Sequence, residues 1–183
     1  ELGRINRRLE SLRIGGIDDT TLSLGQAGFT ASVLEPFKDL GTEVFANIES
    51  AISKKSKSDL QTLIPESHKQ KNSLIDLCDM YGHKEILDTA KNSYSFIDTT
   101  QEYMDNLEFI VSEIEAKRNL KLHIDLGEIQ GFKYHNGIVF SAYTSSAGYV
   151  LAKGGRYDGL RKSSDEDRPA VGFDLDLIAV SNL

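Results

Sequence analysis

The sequence predicts an α+β fold, because its two hydrophobic periodicities occupy different parts of the chain. Apolar and polar residues alternate over Thr20–Gly25, Lys121–Leu126 and the stretch from Gly137 to Lys153, which is the period of half-buried strands. From about Thr42 to Arg118, apolar residues instead recur three and four apart, the spacing of helices that bury one stripe. Strands joined by short turns and set apart from the helices fit antiparallel pairing better than a repeating strand–helix alternation.

Leu2, Ile5, Leu9 and Leu12 recur at helical spacing, and Gly15-Gly16 ends that first run. Because the chain opens at Glu1 inside this pattern, it is expected to be a piece of a longer protein. Thr20–Gly25 follows as a strand with Leu22 and Leu24 on one side. A helix over Phe29–Leu34 stops at Pro36, whose ring and missing N–H do not continue a helix. Val44, Phe45, Ile48, Ala51 and Ile52 form one helical stripe, and Leu74, Leu77, Cys78 and Tyr81 a second. Tyr103, Leu107, Ile110, Val111 and Ile114 form the longest, and all three read as core faces. Ser58 is placed to cap a short helix ending near Pro65. In the returning strand, Leu122, Ile124 and Leu126 alternate with His123 and Asp125. Gly137–Thr144 and Tyr149–Lys153 then form a hairpin over Ser145-Ser146-Ala147-Gly148. A polar loop, Lys162–Asp167, leads past Arg168-Pro169 to a last strand and to a helix beginning near Asp176.

Composition narrows the function classes. At 183 residues, with 27% charged and 39% hydrophobic residues, the chain has the make-up of a globular protein with a substantial core. A net charge of −7 argues against a nucleic-acid surface, which needs clustered Lys and Arg; the one basic cluster, Lys54-Lys55-Ser56-Lys57, reads as a solvated helix end. The single cysteine, Cys78, leaves no intrachain disulfide and fits a reducing, cytoplasmic compartment; its apolar row makes it a small buried hydrophobe. No apolar run is long enough to span a membrane, and no signal peptide is visible.

Of the four histidines, His68 and His83 are expected on the helical surface, and His123 lies opposite the apolar side of its strand. No His-x-x-x-His or Cys-x-x-Cys spacing occurs, so no metal site is expected. Gly25-Gln26-Ala27-Gly28 is too short to signal a phosphate loop, and no cofactor motif is present. The informative stretch is Gln130 to Phe140 together with Gly154-Gly155-Arg156-Tyr157-Asp158-Gly159-Leu160. It reads as a hairpin bearing Tyr134 and His135 whose second strand runs into a Gly-Gly-Arg-Tyr-Asp loop. Gly154 and Gly155 let the backbone approach a small ligand, and the Arg156 guanidinium suits a carboxylate or phosphate. Tyr157 adds a ring wall and Asp158 an anion suited to an amine or imidazole. The plainer reading is a tight turn closed by a surface Arg-Asp pair.

The segment from His123 to Leu183 resembles the carboxyl-terminal part of a class II histidyl-tRNA synthetase catalytic core. It is still more similar to the synthetase's non-synthetase relatives, the ATP phosphoribosyltransferase regulatory subunits. The residues that carry the resemblance are QGFKYHNGIVFSAY, GGRYDGL and RPAVGFDLDL, with a weaker likeness in LGRINRRLESLRIGGIDDTTLSLGQAGF. The resemblance implies a class II synthetase-like antiparallel sheet with flanking helices, divided as core (1–40), helical insertion (41–118) and core again (119–183). It also implies a histidine-like pocket lined by Gln130, Tyr134, His135, Gly154, Gly155, Arg156, Tyr157 and Asp158. Arg156 would hold the carboxylate, and Tyr134 or His135 would face the ring.

Two departures bear on chemistry. A synthetase has an arginine where this chain has Gln130, and a neutral amide does not stabilise developing phosphate charge, an effect worth roughly 3 kcal/mol of barrier. A synthetase also has an arginine after the Gly-Phe of the closing motif, where this chain has Asp174 and Asp176. The reading is therefore a catalytically silent regulatory subunit with no cofactor. The resemblance implies a short-form ATP phosphoribosyltransferase catalytic subunit as partner in a hetero-octamer, histidine as feedback ligand, and self-association of the full-length protein. A true histidyl-tRNA synthetase fragment is the alternative, and a synthetase-like sensor of uncharged tRNA a third.

Overall fold

The computed structural model describes residues 3, 19–117, 120–129, 136–145, 147–157 and 170–181. The expected first helix, with Leu2, Ile5, Leu9 and Leu12, lies outside them, as does the polar loop Lys162–Asp167.

Among the described residues six strands form one sheet: β1 (Thr20–Gln26), β2 (Tyr81–Gly82), β3 (Lys121–Asp125), β4 (Ile138–Thr144), β5 (Ala147–Tyr157) and β6 (Ala170–Leu175), in the order β2-β3-β1-β4-β5-β6. Neighbours run antiparallel except β1 and β3, which pair in parallel with Leu22 opposite Leu122 and Leu24 opposite Ile124. The parallel pair follows from the helical stretch between those strands, since only a long crossover returns a chain to the end it left. The Gly-Gly-Arg-Tyr run is strand, not loop: Gly154 and Gly155 pair with Phe140 and Val139 on one side and with Phe173 and Gly172 on the other.

Seven α-helices are described: α1 (Ala27–Leu34), α2 (Thr42–Ser53), α3 (Lys57–Leu63), α4 (Lys71–Asp76), α5 (Glu85–Ser93), α6 (Thr100–Lys117) and α7 (Leu177–Ser181). Pro36 ends α1 as expected, and the chain continues through a 3-10 turn over Glu35–Leu40. The cap of α3 is Ser56 rather than Ser58: the Ser56 hydroxyl accepts the Asp59 N–H. Asp76 and Leu77 stop α4 short, and Tyr81, expected in the second helical stripe, stands half-exposed on the edge strand β2.

One face of the sheet carries the helices. Leu22, Leu24, Ile124, Phe140 and Ala142 on that face join Ile48, Ile52, Leu74, Leu107, Ile110 and Ile114 in a single buried cluster. Tyr94 sits inside it, edge-on to Phe29 at 5.1 Å and donating its hydroxyl to the Ser73 carbonyl. Cys78 is buried there too, which pushes its thiol pKa up and leaves it a hydrophobe. Lys71 is the exception to an apolar interior. Its ammonium is buried but donates to the Gln61 and Ile64 carbonyls at 2.8 and 2.7 Å and pairs with Glu66, so it closes the end of α3. His68 is half-buried rather than a surface residue. It stacks on Phe37 at 4.2 Å, and because Nδ1 accepts the Gln70 N–H, Nε2 donates to the Pro36 carbonyl.

Candidate functional site on the face of the sheet away from the helices

Strand alternation sends Ser23, Gly25, Val139, Ser141, Tyr143, Lys153, Gly155, Gly172 and Asp174 to the face away from the helices. Val139 is buried yet stands apart from the helix-side cluster, as that placement requires. Across this face, Gly25, Val139, Gly155 and Gly172 form one row over four strands. Three of the four positions lack a side chain, so the row is a floor that allows close approach to backbone, although Gly25, Val139 and Gly155 are themselves buried. The next row is Ser23, Ser141, Lys153 and Asp174, with His123 beside Ser23.

The turn after β3 closes over one end of this floor. A Cβ at Gly25 would lie 2.8 Å from the Asp125 carbonyl oxygen and 3.2 Å from the Glu128 Cβ, so glycine is required for that approach. Tyr143 reports the electrostatics. Burial raises its phenol pKa, the negative charges of Glu128 and Asp125 raise it further, and a hydrogen bond with Ser141 pulls it back. Hydroxyls, a tyrosine and the Glu128 carboxylate thus gather beside this floor, while the second carboxylate, Asp125, is paired with Lys55. That chemistry suits a small ligand bearing an amine or imidazole.

The predicted site residues divide. Gly155 belongs to the floor. Gly154 faces the other way, into the core, where a Cβ would meet the Gly172 carbonyl oxygen at 2.4 Å, Phe173 Cβ at 2.7 Å and Phe140 Cζ at 2.8 Å. Arg156, half-buried, alternates onto the same side as Gly154, opposite Val171, and its carbonyl accepts the Asn136 N–H at 3.2 Å. Tyr157 ends β5, paired with Ala170. Gln130, Tyr134, His135 and Asp158 lie outside the described residues. Sequence reasoning did not single out Ser23, Gly25, Ser141, Tyr143, Glu128 or Gly172. The alternation of Ser23 with Leu22 and Leu24, and of Ser141 and Tyr143 with Phe140 and Ala142, was the available signal.

In the closing motif, Asp176 caps α7 through a hydrogen bond from the Ala179 N–H at 2.8 Å. Asp174 is exposed and opposite Lys153. An open cleft of about 580 Å³ lies at the outer edge of β3, lined by His83, Lys84, Glu85, Glu115, Lys121 and His123 among others, and by Thr21 of β1. Among the described residues, no group of three His, Cys, Asp or Glu side chains is placed to hold a metal ion, and no helix is long and apolar enough to cross a membrane.

The family model described as Histidyl-tRNA synthetase matches residues 3–180. The chain belongs to the histidyl-tRNA synthetase family. Within it, the chain is 30% identical over 188 residues to the ATP phosphoribosyltransferase regulatory subunit of Polynucleobacter necessarius subsp. necessarius (strain STIR1), an alignment covering 100% of this chain and 48% of the relative. The chain spans about half the length of the curated relatives it matches. Among solved structures, an ATP phosphoribosyltransferase regulatory subunit/histidyl-tRNA synthetase from Bacillus halodurans C aligns with a TM-score of 0.75 at 21% identity, covering 96% of this chain and 47% of that one. The ATP phosphoribosyl transferase (HisG:HisZ) complex from Thermotoga maritima aligns at 0.61 and 18%, covering 85% and 53%. These structural likenesses establish the fold, an α+β class II synthetase-like sheet, as the sequence predicted.

Proposed function

We propose that this chain belongs to a regulatory subunit of ATP phosphoribosyltransferase that performs no aminoacylation. In this reading it partners a short-form catalytic subunit in the cytoplasm and confers histidine feedback on the first step of histidine biosynthesis. The observation that carries the reading is the 30% identity, along the whole chain, to a curated regulatory subunit. The acidic closing motif supports it: Asp176 is committed to capping a helix, and Asp174 would repel a triphosphate. Gln130 supports it in the same sense, since a neutral amide stands where adenylate formation needs a cation.

Histidine would bind over the glycine row. The segment from Gln130 to His135, with Tyr157 and Asp158, would complete the pocket around Gly155, Ser141 and Tyr143, leaving out Arg156, which shares the side of Gly154. Feedback then requires that histidine bind two states of the assembly with different affinity. We further read residues 41–118 as a helical insertion between two parts of the synthetase-like core, 1–40 and 119–183, with self-association arising in the full-length protein.

The test is reconstitution of the full-length protein with the short-form catalytic subunit from the same source. Phosphoribosyl-ATP formation that needs this protein and falls with histidine is the expected result. The family description favours a second reading, a synthetase core. Histidine-dependent exchange of pyrophosphate into ATP at a synthetase-like rate, with no effect on the transferase, would establish that reading instead.

A further inference from the structure

The turn that carries the chain from β3 towards the candidate ligand residues is held by a lysine seventy positions earlier. Lys55 lies at the corner between α2 and α3 in the left-handed backbone region, φ 55°, which is uncommon for a residue with a side chain. Its Nζ donates to Asp125 Oδ1 at 2.6 Å, and both side chains are largely shielded, 27% and 18% exposed. The same Asp125 oxygen accepts the Gly127 N–H at 2.9 Å. The Tyr81 ring lies beside the ammonium, 5.9 Å from its centroid. A Cβ on Gly127 would sit 2.7 Å from Nζ and 3.2 Å from the Leu77 carbonyl oxygen, so the turn is built against this lysine.

Two other elements fix the intervening residue. The Leu126 N–H donates to the Met80 carbonyl at 2.9 Å, and its own carbonyl accepts the buried Thr30 hydroxyl at 2.8 Å. Leu126 is thus pinned from α1 and from the residue before β2, the Glu128 N–H donates to the Asp125 carbonyl at 3.4 Å, and Gly127 is held by the Asp125 carboxylate that Lys55 grips. The turn reaches the site through Glu128, whose Cβ lies 3.2 Å from where a Cβ at Gly25 would be and whose charge acts on Tyr143.

We propose that Lys55 is a positioning residue for the ligand site: acting through Asp125, it sets the turn at residues 126–128 and with it the affinity of the pocket. The helical corner between α2 and α3 is then coupled to ligand binding across a single shared carboxylate oxygen. The proposal deepens the function argued above and rests on it for the identity of the ligand.

The experiment uses the full-length protein assembled with its catalytic partner and compares wild type, Lys55→Met, Lys55→Arg and Asp125→Asn. Three quantities are read: the histidine concentration giving half-inhibition, the uninhibited rate, and hydrogen exchange at the Leu126 and Gly127 amides. Lys55→Met should raise the half-inhibitory histidine concentration about five- to tenfold, leave the uninhibited rate unchanged and speed exchange at Gly127 more than at Leu126. Lys55→Arg, which keeps a cation in reach of Asp125, should restore part of both effects, and Lys55→Met combined with Asp125→Asn should be no worse than the stronger single change. A Lys55→Met protein that melts lower but keeps its histidine response and its Gly127 exchange would show that the pair only stabilises the fold, and would overturn the proposal. Wild-type protein that ignores histidine would instead overturn the pocket reading, and Gly127 exchange would still judge the clasp.

Discussion

Adding one methyl group at Gly154 tests how tightly β5 is held between its neighbours. In Gly154→Ala the new Cβ would lie 2.4 Å from the Gly172 carbonyl oxygen, where such atoms ordinarily meet at roughly 3.3 Å. It would also lie 2.7 Å from Phe173 Cβ and 2.8 Å from Phe140 Cζ, well inside the roughly 3.5 Å of carbon–carbon contact. The Phe140 ring is buried in the core, and the other two atoms belong to or adjoin the backbone of β6. Relief therefore requires β6 to shift, and overpacking of this kind costs about 2–3 kcal/mol. Replacing glycine also restricts the unfolded chain, which returns about 0.4–1 kcal/mol. The net loss is about 2 kcal/mol, read as a lowered urea midpoint at unchanged slope, or as a fall of about 4–8 °C in melting temperature for a domain of this size. Because Gly154 faces the core, histidine affinity of the folded protein should not change. A Gly154→Ala protein within about 0.5 kcal/mol of wild type would refute the packing argument. One that kept its stability but lost histidine binding would return Gly154 to the pocket.

Thr30→Val should cost about 1–3 kcal/mol despite its matched shape, because the buried Leu126 carbonyl loses its hydroxyl donor; equal stability by urea unfolding would mean that water replaces it. Asp19 accepts hydrogen bonds from the Ser145 hydroxyl, the Thr144 hydroxyl and the Ser145 N–H at 3.0 Å, which lower its pKa to about 2. A depressed carboxyl stabilises the fold above its unfolded value of 3.8, and that contribution is lost as pH falls through about 2. Asp19→Asn should flatten the part of the stability profile between those two values; identical profiles would count against the Asp19 hydrogen bonds.

The elements with strong periodicity were legible in the sequence. Leu22 and Leu24 announced β1, and Leu107, Ile110, Val111 and Ile114 announced the buried stripe of α6. What escaped was set by distant partners. Two residues, Tyr81 and Gly82, carry no alternation, and they are a strand only because Asp125 and Ile124 lie beside them. Ser56, three residues ahead of Asp59, had the spacing of a capped helix start, and the neighbouring Ser58 obscured it. Gly154 and Gly155 read as a loop because glycine weakens a strand, yet pairing with β4 and β6 on both sides and packing against Phe140 and Phe173 fix them in the sheet. Ser23, Ser141 and Tyr143 became candidates only once the register of β1 against β4 placed them on one face.

The placement of β1 between β3 and β4 has a consequence for synthesis. Thr20 has its antiparallel partner at Thr144, and Thr21 its parallel partner at Lys121. On a ribosome the last of these partners is made roughly 6 to 25 s after β1 at ordinary elongation rates. Until β3 is made, roughly 5 to 20 s after β1, the strand that becomes the centre of the sheet has two open edges and an apolar side bearing Leu22 and Leu24. The helices from Thr42 to Lys117 emerge first and need only local contacts to form, so they can cover that side while both edges wait. The long helical stretch is in this sense a nascent-chain shield, and shortening it would leave an aggregation-prone strand uncovered on the ribosome.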